Sequence, residues 1–252
     1  MSIVAAALTG PSSADFLGAA FIAEASEILG VDDRLKLAEA EAEIRRALAL
    51  LEDALGPEHR DVAMAHNGLG NILESQGKHA EAEVELRRAL ASMEDTLGPG
   101  HPDVATVRSN LGNSLFWQHE YAEAEGEYRA ALTAMERTLG PDHPSTAMLR
   151  SNHAEALHAL GKHHEAELEQ RRAITRLDEV LGPEHPEVAK LRTFLAATLR
   201  AQGEHEEAEA ELRRALTVLE KALGGDHDDV AKTRADLTEL LADRTAERAA
   251  PP

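Results

Sequence analysis

Apolar residues recur along most of this chain at spacings of three and four, which place side chains on one face of an α-helix. Residues 102–117 show the pattern most clearly, with a predicted core face of Val104, Val107, Leu111 and Leu115. The next segment, running to about Leu139, has its own inward face: Ala124, Tyr128, Ala131, Leu132 and Met135. We name the first type helix A and the second helix B, and predict that they form an antiparallel pair.

A short cassette, Leu-Gly-Pro-x-His-Pro in its fullest form, separates one pair from the next. Its glycines stand at positions 56, 98, 140, 182 and 224, which are 42 residues apart. A fixed period of this size predicts stacked repeats, each burying its apolar face against a neighbour. Gly98 is expected to take the αL conformation that ends a helix, and Pro102 suits the first turn of the next one. The cassette histidines are expected to cap helix A, because residues one repeat apart are too distant to share a metal ion.

The predicted architecture is an all-α, right-handed superhelical solenoid of antiparallel helix pairs, with a capping helix at each end. The boundaries follow the cassette: 1–11 flexible N-terminus; 12–55 capping helix and first long helix; 56–97, 98–139, 140–181 and 182–223 repeats; 224–244 C-terminal capping helix; 245–252 flexible tail.

Charge and composition narrow the functional classes. The formal net charge of −20 opposes binding to nucleic acid or to an anionic membrane surface. Much of the acidity is explained by Glu-to-Arg pairs four residues apart on helix B, such as Glu83 and Arg87, which predict a solvated face. Cysteine is absent, so no thiolate can act as nucleophile or metal ligand. With neither a charged leader nor an apolar run long enough to span a membrane, we expect a cytoplasmic protein.

The paired helices with small residues at fixed sites resemble the tetratricopeptide repeat (TPR). The residues that carry the resemblance are Leu69-Gly70, Leu111-Gly112 and Leu195-Ala196 in helix A, with Ala82, Ala124, Ala166, Ala208, Ala89, Ala131, Ala173 and Ala215 in helix B. The longer period, the cassette and the Ser-Asn-Leu-Gly of residues 109–112 are similar to repeats of the kinesin-light-chain type, which also occur in bacteria. The family's long N-terminal coiled coil is missing. The resemblance implies non-enzymatic adaptor work: holding a segment of another protein in a concave groove.

The stripe of helix A opposite the core face should line that groove. In successive repeats it contains Met64, Gly68, Asn71 and Ser75; Thr106, Asn110, Asn113 and Trp117; Met148, Asn152, Glu155 and Ala159; and Lys190, Phe194, Ala197 and Ala201. From it we select a candidate peptide-binding set of Met64, Asn71, Asn110, Asn113, Trp117, Met148, Asn152 and Phe194. Asn side chains can bond to a peptide backbone, and aromatic rings serve as apolar anchors.

Structural alternatives stay open for these residues. Trp117 could instead close the end of its helix against the turn before Tyr121, and the asparagines could bond to neighbouring helices. His158, His163 and His164 with Glu165 and Glu167 could bind a metal adventitiously, but we expect no metal site, no cofactor and no catalytic residue.

Other positions have structural interpretations of their own. His153 occupies a core leucine position, and is either a satisfied core histidine or a pH-sensitive weak point. The column Arg108, Arg150, Arg192 and Arg234 is expected to lie along the A–B seam and to reach carboxylates or backbone carbonyls. The alternative overall function is a structural or oligomerisation module, a regulatory subunit or possible homodimer, that associates through its terminal helices.

Overall fold

The computed structural model describes residues 33–249, and every regular element in that range is α-helical. The helices are α1 (Asp33–Leu55), α2 (Arg60–Ser75), α3 (His79–Leu97), α4 (Pro102–Trp117), α5 (Tyr121–Thr138), α6 (Pro144–Ala159), α7 (His163–Leu181), α8 (Pro186–Ala201), α9 (His205–Leu223) and α10 (Asp228–Ala249). The even-numbered helices are of type A and the others of type B. The predicted all-α class is therefore confirmed. None of the helices in this range combines the length and apolarity needed to cross a bilayer.

The ends of the chain differ from expectation in one respect. The predicted flexible N-terminus (1–11) and the capping helix that follows it lie outside the described residues, as do residues 250–252. The last helix was expected to end near Arg244, but α10 continues to Ala249, so most of the predicted tail is helical. Neither proline nor glycine occurs between Asp228 and Ala249 to stop it.

The cassette histidine is the N-cap of helix A, as the spacing predicted. Its Nδ1 accepts a hydrogen bond from the backbone N–H two residues later, at 3.1–3.2 Å, in all five cassettes: His59, His101, His143, His185 and His227. An imidazole nitrogen here satisfies one of the backbone donors that a helix N-terminus leaves unpaired. Proline follows directly in α4, α6 and α8, where its missing N–H costs nothing.

The cassette glycine has a backbone conformation other than the one predicted. Gly98 has φ 81° and ψ 154°, so the expected αL conformation is wrong. This region of positive φ with ψ near 150° is accessible essentially to glycine alone. Gly98 still ends the helix, because its N–H donates to the Glu94 carbonyl. The requirement for glycine is therefore stricter than an αL cap would impose, since Asn could fill that cap.

Two compact units divide the described chain, the first ending at Ala134 and the second beginning at Met135. Each has its own buried core, and the predicted core faces are confirmed. In the first unit Val104, Val107, Leu111 and Leu115 are at most 1% exposed. The small helix B residues are completely buried in both units: Ala82, Ala89, Ala124 and Ala131 in the first, and Ala166, Ala173, Ala208 and Ala215 in the second.

Small residues on helix A allow its partner to approach closely. A Cβ atom added at Gly112 would lie 2.6 Å from Cε1 of Tyr128, and one added at Gly70 would lie 2.6 Å from Cγ of Leu86. Both distances are well inside van der Waals contact, so a larger residue would force the helices apart. The second unit has alanine at the corresponding positions, and both Ala154 and Ala196 are buried.

An arginine between two carboxylates joins successive helices in most repeats. Arg108 contacts Glu94 of the preceding helix B and Glu127 of its own partner helix. Arg150 does the same with Glu136 and Glu169, and Arg192 with Asp178 at 2.6 Å and Glu211 at 2.9 Å. Arg234 contacts Glu220. The prediction that these arginines lie along the seam and reach carboxylates is confirmed.

The first repeat has histidine in place of this arginine. His66 is buried, with Nδ1 2.6 Å from a carboxylate oxygen of Glu85 and Nε2 3.6 Å from one of Glu52. The acidic partners are thus retained while the permanent positive charge is absent. Arg88 lies near the other Glu85 oxygen, at 3.4 Å.

Replacing His66 with arginine is expected to stabilise the first unit by about 1 kcal/mol at pH 8, because a guanidinium is always charged and can serve both carboxylates. The buried Arg150 shows that a repeat of this chain accommodates the larger side chain. The measurement is the urea midpoint followed by circular dichroism. Arg108→His is the reciprocal variant and should lower the midpoint. A lower midpoint for His66→Arg would contradict the interpretation.

Removing one N-cap should cost about 1 kcal/mol of folding free energy. We expect His143→Ala to lower the thermal midpoint and His143→Asn, which keeps a side-chain acceptor, to restore most of it. Equal losses in the two variants, measured by differential scanning calorimetry at pH 8, would show that the imidazole acts by something other than capping.

Candidate functional site

In the first unit, the candidate stripe lies on the neighbouring helices α2 and α4. Asn110 of α4 donates a hydrogen bond from Nδ2 to Oδ1 of Asn67 on α2, at 2.9 Å. This bond lies between the helices, as the structural alternative for the asparagines anticipated. It occupies one of the two amide donors of Asn110, which remains half-buried. The side chain is thereby oriented without being removed from the surface.

A side chain of the partner helix α5 fixes the orientation of Asn113. The Tyr128 hydroxyl of α5 donates to Oδ1 of Asn113 at 2.7 Å, while the rest of the tyrosine side chain is buried in the core. Asn71 occupies the same register on α2 and is half-buried. Met64 is half-buried as well and lies two helical turns earlier on the same face. The first-unit stripe therefore presents amides and a thioether, with no charged side chain among the predicted set.

Trp117 ends helix α4 with 61% of its surface exposed. Its ring stacks on His79 at a centroid distance of 6.0 Å with an interplanar angle of 17°, and meets the edge of Phe116, also at 6.0 Å. Phe116 is the residue that packs on Tyr121 in the turn, with centroids 5.2 Å apart. Closing the turn is therefore the role of Phe116, and Trp117 presents a large apolar surface to solvent.

In the second unit, the candidate residues lie on α6 and α8. Met148 is 58% exposed, Asn152 is half-buried, and Phe194 is 37% exposed. The Lys232 ammonium of α10 lies 5.7 Å from the Phe194 ring centroid, within the range of a cation–π interaction. Unlike the first-unit stripe, this surface places a charged group against its aromatic residue.

Glu155 is a member of the second-unit stripe that the candidate set omits. Burial raises the pKa of its carboxyl from 4.5 to about 7, although the positive charge of Lys232 opposes the shift. The carboxylate makes no hydrogen bond or ion pair within residues 33–249. One signal in the sequence could have identified it: the register of Asn71 and Asn113 continues with a carboxylate at 155.

The histidines suspected of metal binding make other contacts. The His158 and His163 rings lie 4.9 Å apart, and Nδ1 of His158 is 3.1 Å from the Thr198 hydroxyl. Burial, with His163 nearby, lowers the pKa of His158. His164 is almost completely exposed. Across the described part of the chain, no three His, Asp or Glu side chains are placed to hold a metal ion. His153 is buried, as its leucine register predicted.

Comparison with known families assigns the fold. The model of the tetratricopeptide repeat matches residues 34–95, 61–115, 103–179, 152–221 and 187–250, and these matches together span most of the chain. The chain belongs to the tetratricopeptide repeat family. TPRs are in general protein–protein interaction modules and are usually not catalytic themselves.

Solved structures with similar folds include kinesin-light-chain-like proteins. The nearly identical TPR-like repeats described for a kinesin light chain of P. anserina share 20% sequence identity with this TPR protein, cover 85% of it over 99% of their own length, and give a TM-score of 0.67. BtubC (BKLC) from P. vanneervenii is 18% identical in sequence. The match covers 89% of this chain and 95% of BtubC, with a TM-score of 0.60. The apo form of RapI is 14% identical in sequence. The match covers 90% of this chain and 84% of RapI, with a TM-score of 0.66. At these identities the likeness shows a shared fold. No curated protein matches this TPR protein significantly in sequence.

The raised pKa of Glu155 predicts that ionising this carboxyl weakens the fold. Between pH 4.5 and about 7 the folded chain retains a proton that the unfolded chain has lost, so stability falls as pH rises through this range. The shift corresponds to a cost on the order of 3 kcal/mol above pH 7. Glu155→Gln avoids that cost, and should raise the thermal midpoint at pH 8 but hardly at pH 5.

A matched control for this stability measurement is Glu165→Gln, which makes the same chemical change at an exposed carboxyl. Its midpoint should follow that of the unmodified protein at both pH values. A Glu155→Gln effect that is equal at pH 5 and pH 8 would contradict the prediction.

Proposed function

We propose that this TPR protein is a non-catalytic adaptor that holds a segment of a partner protein along the stripes of its type A helices. The supporting observation is the exposed Trp117 beside the oriented amides of Asn110 and Asn113. A solvated surface has no need of a tryptophan that is 61% exposed. Amides with fixed orientation can bond to an extended backbone, and a rigid aromatic ring contributes contact area at low entropic cost.

The proposal gives the first-unit and second-unit stripes the same task with different chemistry. Met64, Asn71, Asn110, Asn113 and Trp117 would contact the ligand in the first unit, and Met148, Asn152 and Phe194 in the second. An affinity of about micromolar, or roughly −8 kcal/mol, suits an interaction with a short peptide. We also propose a bacterial source, because arginine outnumbers lysine, Ala, Glu and Gly are abundant, and repeats of this type occur in bacteria, and we propose a cytoplasmic location.

Trp117 is the chain's only tryptophan, so its fluorescence reports directly on the first-unit stripe. Peptides selected from a display library against the purified protein should shift its emission on binding. Trp117→Ala should weaken the tightest of them at least tenfold, as expected for an aromatic hot spot.

Val84→Ala is the matched control for Trp117, since Val84 of α3 is also an exposed apolar residue, at 50%, but lies off the stripe. Its affinity for the selected peptides should be unchanged. Unaltered emission on binding, together with full affinity in Trp117→Ala, would rule out this stripe as the binding surface.

A further inference from the structure

Glu155 is placed at a cost that the fold itself does not require. At the same register, Asn71 and Asn113 supply neutral amides, and the repeats containing them are well packed. The Glu155 carboxylate is half-buried on α6, and no described residue donates a hydrogen bond to it. Burying a carboxylate without a donor is unfavourable. Such a group becomes favourable when a ligand provides the missing donors.

Alanines occupy the registers next to Glu155 on α6 and α8. Ala197 on α8 occupies the same register as Glu155 on α6, and the second repeat has Asn113 at this register. Ala159 and Ala201 occupy the register of Trp117, and all three alanines are exposed. Thus, at the two registers where the second repeat has an amide and an indole, the later repeats have these three small side chains beside Glu155.

Phe194 adds a second reason to expect a positively charged ligand. Its ring, one helical turn before Ala197, already lies within 5.7 Å of the Lys232 ammonium. Lys232 makes no hydrogen bond or ion pair among the described residues, but its positive charge also acts on the Glu155 carboxyl, so one cation links the ring and the carboxylate. An aromatic face beside a carboxylate is a favourable environment for a planar cation, which can stack and donate at once.

We propose that Glu155 and Phe194 form a subsite for an arginine side chain of the partner segment, whose guanidinium pairs with the Glu155 carboxylate and stacks on the Phe194 ring. This inference rests on the adaptor function proposed above and specifies the chemistry of its ligand. The net charge of −20 favours the approach of such a basic segment. Lys232 competes with the ligand for the same site.

Proton release accompanies binding. Near neutral pH the Glu155 carboxyl, with a pKa of about 7, is partly protonated, and the ligand cation favours its ionised form. Among residues 33–249, Lys232 is the charged side chain that acts on the Glu155 carboxyl, and it favours the ionised form. His158, one turn along α6, has a lowered pKa, and Asp236 of α10 has a raised one because of burial. The ionised fraction of Glu155 rises from about a tenth at pH 6 to about nine tenths at pH 8.

The test uses an acetylated and amidated peptide, AARAARAA, and its analogue with citrulline in place of both arginines. Isothermal titration calorimetry with the full chain measures affinity at pH 6 and pH 8, and proton release from buffers of different ionisation enthalpy. We expect the arginine peptide to bind about ninefold more tightly at pH 8, with proton release, and the citrulline peptide at least tenfold more weakly than the arginine peptide.

Variants separate the subsite from general attraction to an acidic protein. Glu155→Gln should weaken the arginine peptide about tenfold and abolish both its pH dependence and the proton release. Glu165→Gln, with the same change in net charge, should bind as the unmodified protein does. Lys232→Met should bind more tightly, because a competing cation is removed. Circular dichroism melting verifies that each variant is folded.

Several outcomes would overturn the subsite. These are no binding at about 1 mM peptide, equal binding of the citrulline analogue, and equal affinity of the Glu155→Gln and Glu165→Gln variants. A library peptide that depends on Trp117 but is indifferent to Glu155→Gln would overturn this inference while leaving the adaptor function intact. Tighter binding of a lysine analogue than of the arginine peptide would show that stacking on Phe194 contributes nothing.

Discussion

Helices A and B cross closely, and the packing, the ion pairs and the orientation of the stripe residues all follow from this contact. At Gly112 a single additional carbon atom would collide with the Tyr128 ring, so this ring packs directly on the backbone of α4. That proximity buries the alanines of helix B and puts Arg108 within reach of carboxylates on two helices. It also allows the Tyr128 hydroxyl to pass through the core and orient Asn113 on the stripe. Packing and the candidate binding surface are thus consequences of the same contact.

Positions that depart from the repeat are informative because the remainder is so regular. His66 stands where later repeats have arginine, yet the two neighbouring carboxylates are kept. Glu155 stands where earlier repeats have asparagine, and no residue in the described part of the chain donates a hydrogen bond to it. The first departure replaces a permanently charged side chain on the seam between helices with an imidazole. The second lies on the stripe, where the cost of an unpaired carboxylate is understandable if a ligand pairs with it.

Many positively charged side chains join helices, whereas the excess of negative charge lies at the surface. Arginines of the seam lie between acidic residues of adjacent helices. Arginines on the outer face of helix B also form two pairs: Arg87 bonds to Glu83 on its own helix and to Glu123 on α5, the next helix of type B. Lys78 likewise holds the pKa of Glu41 down to about 2. The cations are therefore largely engaged in joining repeats, and the excess of carboxylates gives the surface its acidic character. A basic partner segment would meet little competition apart from Lys232.

The helices, their order and their caps were predictable from the sequence, because a period of 42 residues and the spacing of apolar positions are local properties of the chain. Gly98, His101 and Pro102 act within one turn of helix, so their function as punctuation could be inferred without knowing any neighbour. Two details were predicted wrongly: the dihedral angles of Gly98, since several glycine conformations can end a helix, and the end of the last helix, which continues past Arg244 to Ala249.

What each stripe residue contacts was decided by the tertiary structure. Trp117 and Phe116 are adjacent in sequence, but only the rotation of α4 against the turn exposes the first and packs the second. Asn110 and Glu155 belong to the same predicted stripe, yet Asn110 bonds to Asn67 on the neighbouring helix, whereas Glu155 has no hydrogen-bond partner within the range that the structure describes. Burial and hydrogen bonding of a stripe residue depend on side chains about 40 residues away in the sequence. The helical period does not predict how close those side chains come to it in space.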